Sequence, residues 1–107
     1  MIIIDSSALI AILRQEKEAL SFVGIIAEAE ECLLSAVNYV ETCIVASSRL
    51  PAQGLEKLER LLEKLQIEVA SIDPRQAQLA RDAFLRYGRG RHPAGLNMGD
   101  CFAYALA

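Results

Sequence analysis

Three β-branched residues run straight into an acid at the start of this chain: Met1-Ile2-Ile3-Ile4-Asp5-Ser6-Ser7-Ala8-Leu9-Ile10. No polar residue alternates with Ile2, Ile3 and Ile4, so they predict a short strand buried on both faces. Ser6 or Ser7 then suits the N-cap of a helix through Ala8, Leu9, Ala11, Ile12 and Leu13. Asp5 thus falls at the carboxyl end of a buried strand, where ligand crevices form in open α/β sheets. A carboxylate between apolar flanks is costly there unless a cation, a hydrogen bond or water meets it.

The rest of the chain repeats that strand-to-helix alternation. Glu16-Lys17-Glu18 marks a turn, and a helix over residues 19–29 places Leu20, Val23, Ile26 and Ala27 on one stripe. Cys32-Leu33-Leu34 predicts a second strand, and Ser35 caps a helix to about Ser48 with Val37, Val40, Ile44 and Ser47 in register. Pro51 breaks the chain. Leu55, Leu58, Leu62 and Leu65 give an amphipathic helix whose wet side carries the Glu56–Arg60 pair. A third strand is expected over 67–72. Asp73-Pro74 starts a further helix, with Ala77, Ala80, Phe84 and Tyr87 directed inward. A loop over 88–95 carries Arg89, Arg91 and His92, and Asn97 caps a last helix over 98–107. The expected fold is α/β, a central parallel sheet flanked by helices. The last helix ends at Ala107 with no Gly, Pro or basic residue to stop it, and three strands are few for so many helices. A C-terminal strand is therefore expected to be missing.

At 107 residues the chain makes one small domain, and 53% apolar content gives it a core. Its apolar runs are too short for a membrane span, and no basic region precedes them as in a secretory signal. Cys32, Cys43 and Cys101 lack the spacing of a zinc or redox motif, so they read as reduced, packed thiols of a cytoplasmic protein. The net charge of −3 excludes bulk attraction as a way to hold nucleic acid. Such contact would need a local basic patch or a bound cation. Asp5-Ser6-Ser7 is neither a dinucleotide fingerprint nor a P-loop.

Of 14 acids, three stand out. Asp5 ends an isoleucine run, Glu41 interrupts a largely apolar helix, and Asp100 precedes Cys101-Phe102-Ala103-Tyr104. Buried together, carboxylates repel unless a hard cation such as Mg²⁺ or Mn²⁺ neutralises them. Such a site can polarise a phosphoryl oxygen and activate water. Each acid also has a plain structural role open to it. Asp5 can cap the first helix, Asp100 stands at the N3 place of a capping box, and Glu41 can lie on a wet face with Asn38 and Thr42. Ser6 reads as a cap, with a secondary role near a bound ion. His92 reads as a loop residue. Tyr39, Tyr87 and Tyr104 read as packing or interface residues rather than base-stacking platforms. Arg86, Arg89 and Arg91 are solvated or in contact with phosphates.

Ile4-Asp5-Ser6-Ser7-Ala8-Leu9, Ser35-Ala36 followed by Glu41, and Gly95-Leu96-Asn97-Met98-Gly99-Asp100-Cys101-Phe102-Ala103-Tyr104-Ala105 together resemble the PIN domain. More narrowly they resemble the VapC toxins of bacterial toxin–antitoxin pairs. The resemblance runs over the whole chain, and its third motif is the most specific. It implies an α/β nuclease in which Asp5, Glu41 and Asp100 bind Mg²⁺ or Mn²⁺ and activate water to cut RNA; by their own positions, Ser6, Arg89 and Arg91 are the candidate substrate contacts. It implies a homodimer, and a VapB-like antitoxin occupying a groove on the first two helices, around Leu9 to Val23. The family continues past the Asp100 helix into another strand and a further acid, which this sequence lacks. The alternative is therefore a truncated, inactive PIN remnant that serves as an antitoxin-binding module. A phosphatase of the haloacid-dehalogenase kind expects a second Asp where Ser7 stands.

Overall fold

Side-chain caps set where most of the helices begin. In the computed structural model, which describes residues 1–50 and 52–107, the strand β1 (Ile2–Ile4) leads into α1 (Ser6–Leu13). The Asp5 carboxylate caps α1 by accepting from the Ala8 amide at 3.1 Å, so Asp5, not Ser6 or Ser7, is the cap. Its acid is the better acceptor for the partial positive charge of a helix N-terminus. After α2 (Ala19–Glu28) and β2 (Cys32–Ser35), Ser35 caps α3 (Ala36–Arg49) as expected. α4 (Gly54–Lys64) and β3 (Ile67–Ala70) follow. Asp73, with Pro74 in the first turn, caps α5 (Pro74–Tyr87), and Asn97 caps α6 (Met98–Leu106) in a full capping box. Pro51, expected to break the chain, lies outside the described residues.

The three strands form one parallel sheet in the order β1-β2-β3. Ile2, Ile3 and Ile4 stand opposite Cys32, Leu33 and Leu34, and Cys32 to Ser35 stand opposite Ile67 to Ala70. Parallel neighbours need crossovers, and each is made by two helices: α1 with α2, then α3 with α4. β2 is the central strand, and its Leu34 is fully buried. β1 is an edge among the described residues, so only Ile4 is fully buried while Ile2 and Ile3 stay half-exposed. The expectation of burial on both faces fails there because a groove lined by Ile2, Ile3, Phe22 and Ile25 stays open between β1 and α2. β3, the other edge, is two residues shorter than expected and exposes Val69.

The core joins Ile4, Leu9, Ile26, Leu34, Ala46, Leu58, Leu62 and Ile67 across the sheet and the first four helices. α4 approaches α3 closely at Gly54, where any Cβ would meet the Ala46 carbonyl. A second, smaller cluster of Ala80, Ala83 and Cys101 joins α5 to α6.

Three helices bury other faces than their apolar stripes predict. In α2 only Ile26 is buried, and Leu20 is 87% exposed. In α3 the buried residues are Asn38, Thr42 and Ala46, while Val40 and Ile44 face outward. Asn38 and Thr42 are therefore not on a wet face. In α5 the small Ala80 and Ala83 allow close approach of α6, and Phe84 is left partly exposed. Glu56 and Arg60 pair at 4.0 Å on the exposed side of α4, as expected, a contact of little energetic consequence. All three cysteines are free.

Candidate functional site

The end of β1, the first turn of α1, the middle of α3 and the start of α6 converge on one cavity of about 190 Å³. It is lined by Asp5, Ser6, Ser7, Ile10, Asn38, Glu41, Asn97 and Asp100. The three acids singled out in the sequence, 36 and 59 positions apart along the chain, thus share one cavity. All three are half-buried. No Lys, Arg or His side chain lines that cavity among the described residues.

Each acid is held by one of its oxygens. Asp5 Oδ1 accepts from the Ala8 amide at 3.1 Å and from the Ser7 hydroxyl at 2.8 Å. Glu41 Oε1 accepts from the Ser6 hydroxyl at 2.9 Å and from Asn38 Nδ2 at 3.1 Å. Asp100 Oδ2 accepts from the Asn97 amide at 3.0 Å. The second oxygen of each carboxylate receives no hydrogen bond from the described residues. The structural roles open to Asp5 and Asp100 in the sequence are therefore filled, and both still face the cavity. Capping and ligand binding are compatible because a carboxylate has two oxygens.

Asn38 is the organiser that sequence reasoning missed. It is 2% exposed. Its Nδ2 donates to Glu41 Oε1 and to the Gly99 carbonyl, each at 3.1 Å, and lies 3.3 Å from Ser6 Oγ. One amide thus ties α3 to α6 and α1. Its Oδ1 is buried without a partner among the described residues, so the hydrogen-bonding capacity of this amide is spent on the donor side. Gly99 was also missed. A Cβ there would sit 2.6 Å from the Glu41 Cδ and Oε2, so only glycine leaves room for the carboxylate. The available signals were an Asn within an apolar helix and a Gly directly before Asp100.

Arg89 and Arg91 lie on a loop closed by the Gly88–Leu96 bridge, directly before α6. Neither lines the cavity. The Arg91 guanidinium sits over the Phe84 ring, 5.7 Å from its centroid. His92 is an exposed loop residue, its Nδ1 accepting from the Ala94 amide. Cys101, one residue past Asp100, is buried, and burial, with the Asp100 carboxylate adding to it, pushes its thiol pKa up.

The PIN domain family profile matches residues 2–107. The chain belongs to the PIN domain family. Ribonuclease VapC of Mycolicibacterium smegmatis is 45% identical over 105 residues, covering 98% of this PIN chain and 81% of its own length. Ribonuclease VapC28 of Mycobacterium tuberculosis is 45% identical over 106 residues, with 98% and 80% covered. VapC ribonuclease Mb2780c of Mycobacterium bovis is 39% identical over 106 residues, with 98% and 81% covered. Likeness of that degree over nearly the whole chain places this PIN domain among the VapC-type ribonucleases. Among its described residues no helix is long and apolar enough to cross a membrane.

Proposed function

We propose that this chain is an endoribonuclease toxin dependent on Mg²⁺ or Mn²⁺, with Asp5, Glu41 and Asp100 as the residues that hold the ion. The observation that carries this reading is the meeting of three carboxylates from three separate elements in one cavity that no basic side chain lines. The donor set suits a hard ion: carboxylate, hydroxyl and amide oxygens, no sulfur, and space for the waters that Mg²⁺ keeps. When bound, such an ion polarises a phosphoryl oxygen and acidifies a water.

The chain's own residues do the positioning. Ser6 and Asn38 hold one oxygen of Glu41 and leave the other free of hydrogen bonds from the described residues. The caps of α1 and α6 do the same for Asp5 and Asp100. Among the residues lining the cavity, the carboxylates are the charged hydrogen-bond acceptors, so they orient a water bound there. Arg89 and Arg91 contribute charge toward the RNA backbone from the loop before α6.

Two partners complete the reading. A VapB-like antitoxin docks in the groove of about 260 Å³ between β1, α1 and α2, where Phe22, Ile25 and Ile26 lie beside Asp5. That occupant would cover the mouth of the site from the first two helices. A second copy of the chain covers the outward stripe of α3, where Val40 and Ile44 are 54% and 60% exposed.

A second reading also has an observation in its favour. Among the described residues no three Asp, Glu, His or Cys side chains are gathered tightly enough to grip an ion as they stand. That favours a catalytically silent PIN fold acting as an antitoxin-binding module.

An RNA cleavage assay with Mn²⁺ and with EDTA separates the two. Cleavage that EDTA stops and Asp5→Asn abolishes supports the nuclease. Asn caps helices as well as Asp does, so this variant keeps α1 intact and isolates the charge. A chain that binds antitoxin but neither takes up Mn²⁺ nor cuts RNA is the binding module.

A further inference from the structure

The ribonuclease reading leaves unused a notch beside the site. Tyr87, Arg86, Asp82, Ala83 and Leu79 of α5 and Tyr104 of α6 line a cavity of about 210 Å³. We propose that this notch is a subsite of the nuclease that stacks an unpaired RNA base on the exposed ring of Tyr104, which Tyr87 backs, with Arg86 meeting an adjoining phosphate. The proposal rests on the ribonuclease reading and adds a direction to the RNA's path.

Three observations support it. The first is register. Tyr104 stands four residues after Asp100 on α6, so the two share one side of that helix, about 6 Å apart along its axis. The notch and the acid cavity are thus neighbours on one side of α6. Met98 and Phe102 line a different groove, with Phe84 and Leu85.

The second is the preparation of the rings. Tyr87 is half-buried and fixed edge-on by His92, with centroids 5.2 Å apart and planes at 87°. Tyr104 is 56% exposed, 6.0 Å from Tyr87 and tilted by 53°. Tyr87 packs against both His92 and Tyr104, which leaves Tyr104 as the exposed ring of the pair. An exposed tyrosine has a π-face to offer, and base stacking on such faces is sequence-tolerant.

The third is charge. Residues 74–97 carry five arginines against one acid, Asp82, in a chain whose net charge is −3. Asp82 is engaged by its neighbour Arg81 at 3.0 Å, which offsets its repulsion of a phosphate. The one strongly basic segment therefore lies beside the aromatic notch, as a polyanion threading past Asp100 requires.

The test uses kinetics on the whole chain with Mn²⁺ and a short fluorogenic single-stranded oligoribonucleotide. A companion set of probes carries one abasic residue stepped along the strand. Tyr104→Ala is expected to raise KM about tenfold, with the loss falling on KM rather than kcat. Tyr104→Phe keeps the ring and the wild-type KM. One abasic position raises KM for the wild type and has no further effect on Tyr104→Ala. Arg86→Gln lowers the steepness with which KM rises with salt. An unchanged KM in Tyr104→Ala, or a further rise in that variant's KM at the abasic position that weakens the wild type, overturns the subsite while the wild type still cuts RNA. A wild type that cuts none of the probes overturns the nuclease reading and the subsite together. An unchanged melting temperature in Tyr104→Ala excludes misfolding as the source of any loss.

Discussion

A single methyl group decides whether Glu41 can face its cavity. Added at position 99, it would lie 2.6 Å from the Glu41 carboxyl carbon, and Ser6 and Asn38 already restrain that side chain. Gly99→Ala is therefore expected to cost about 1–3 kcal/mol in stability and to displace the carboxylate. Cleavage activity should fall at least as far as melting temperature predicts, and a fully active, fully stable variant would refute the crowding. Cys101 gives a pH prediction. Its folded thiol pKa is raised, first by burial and then by Asp100, so the unfolded chain loses that proton at a lower pH than the folded one. The stability it contributes is complete below the ordinary thiol range and declines as pH climbs beyond about 8.5. Urea midpoints measured across that range should fall more steeply for the wild type than for Cys101→Ala. The acids were legible because a charge among apolar neighbours is visible in one dimension. Asn38 was not, because a polar residue four before Thr42 reads as part of a wet face until the fold shows both buried.

Helix α3 shows what periodicity can and cannot supply. Its span was legible: Ser35 caps it by accepting from the Val37 amide, and the expected end lies within a residue or two of Arg49. The same holds for α5 and α6, whose caps Asp73 and Asn97 are local chemistry. Which face turns inward was not local. Asn38 and Thr42 are drawn in by partners on α1, α6 and their own backbone, and Thr42 donates to the Asn38 carbonyl at 2.7 Å. Rotating α3 to bury its valines would strand those bonds and move Glu41 off the site. The helix therefore accepts an exposed apolar stripe at Val40 and Ile44. Under the dimer proposed above, Ile44→Glu should shift the chain to a monomer by light scattering. Its own folding stability should change by no more than about 0.5 kcal/mol, as at other exposed positions. A monomeric wild type would remove this reason for the stripe.

At the level of the whole molecule the site lies on a seam between two packed units. The larger core holds β1, β2, β3 and the first four helices, and the smaller cluster holds α5 against α6. α5 packs chiefly on α6, while α6 reaches β1, β2 and α3. Asp5 and Glu41 belong to the large unit and Asp100 to the small one. With few buried apolar contacts of its own, the α5–α6 hairpin should open at lower free energy than the sheet, and its amides should exchange first. An ion held by acids from both sides would couple the two. Mn²⁺ at a hundredfold its dissociation constant should then stabilise the chain by about 2.7 kcal/mol. Its signature is uneven: exchange should slow most in α5 and α6, least in α4, and EDTA should restore the original rates. Asp5→Asn should abolish the whole pattern although its mutation lies in the other unit. Protection by Mn²⁺ spread equally over α4 and α6, or retained in Asp5→Asn, would place the ion elsewhere and break the link between these three acids and the chemistry.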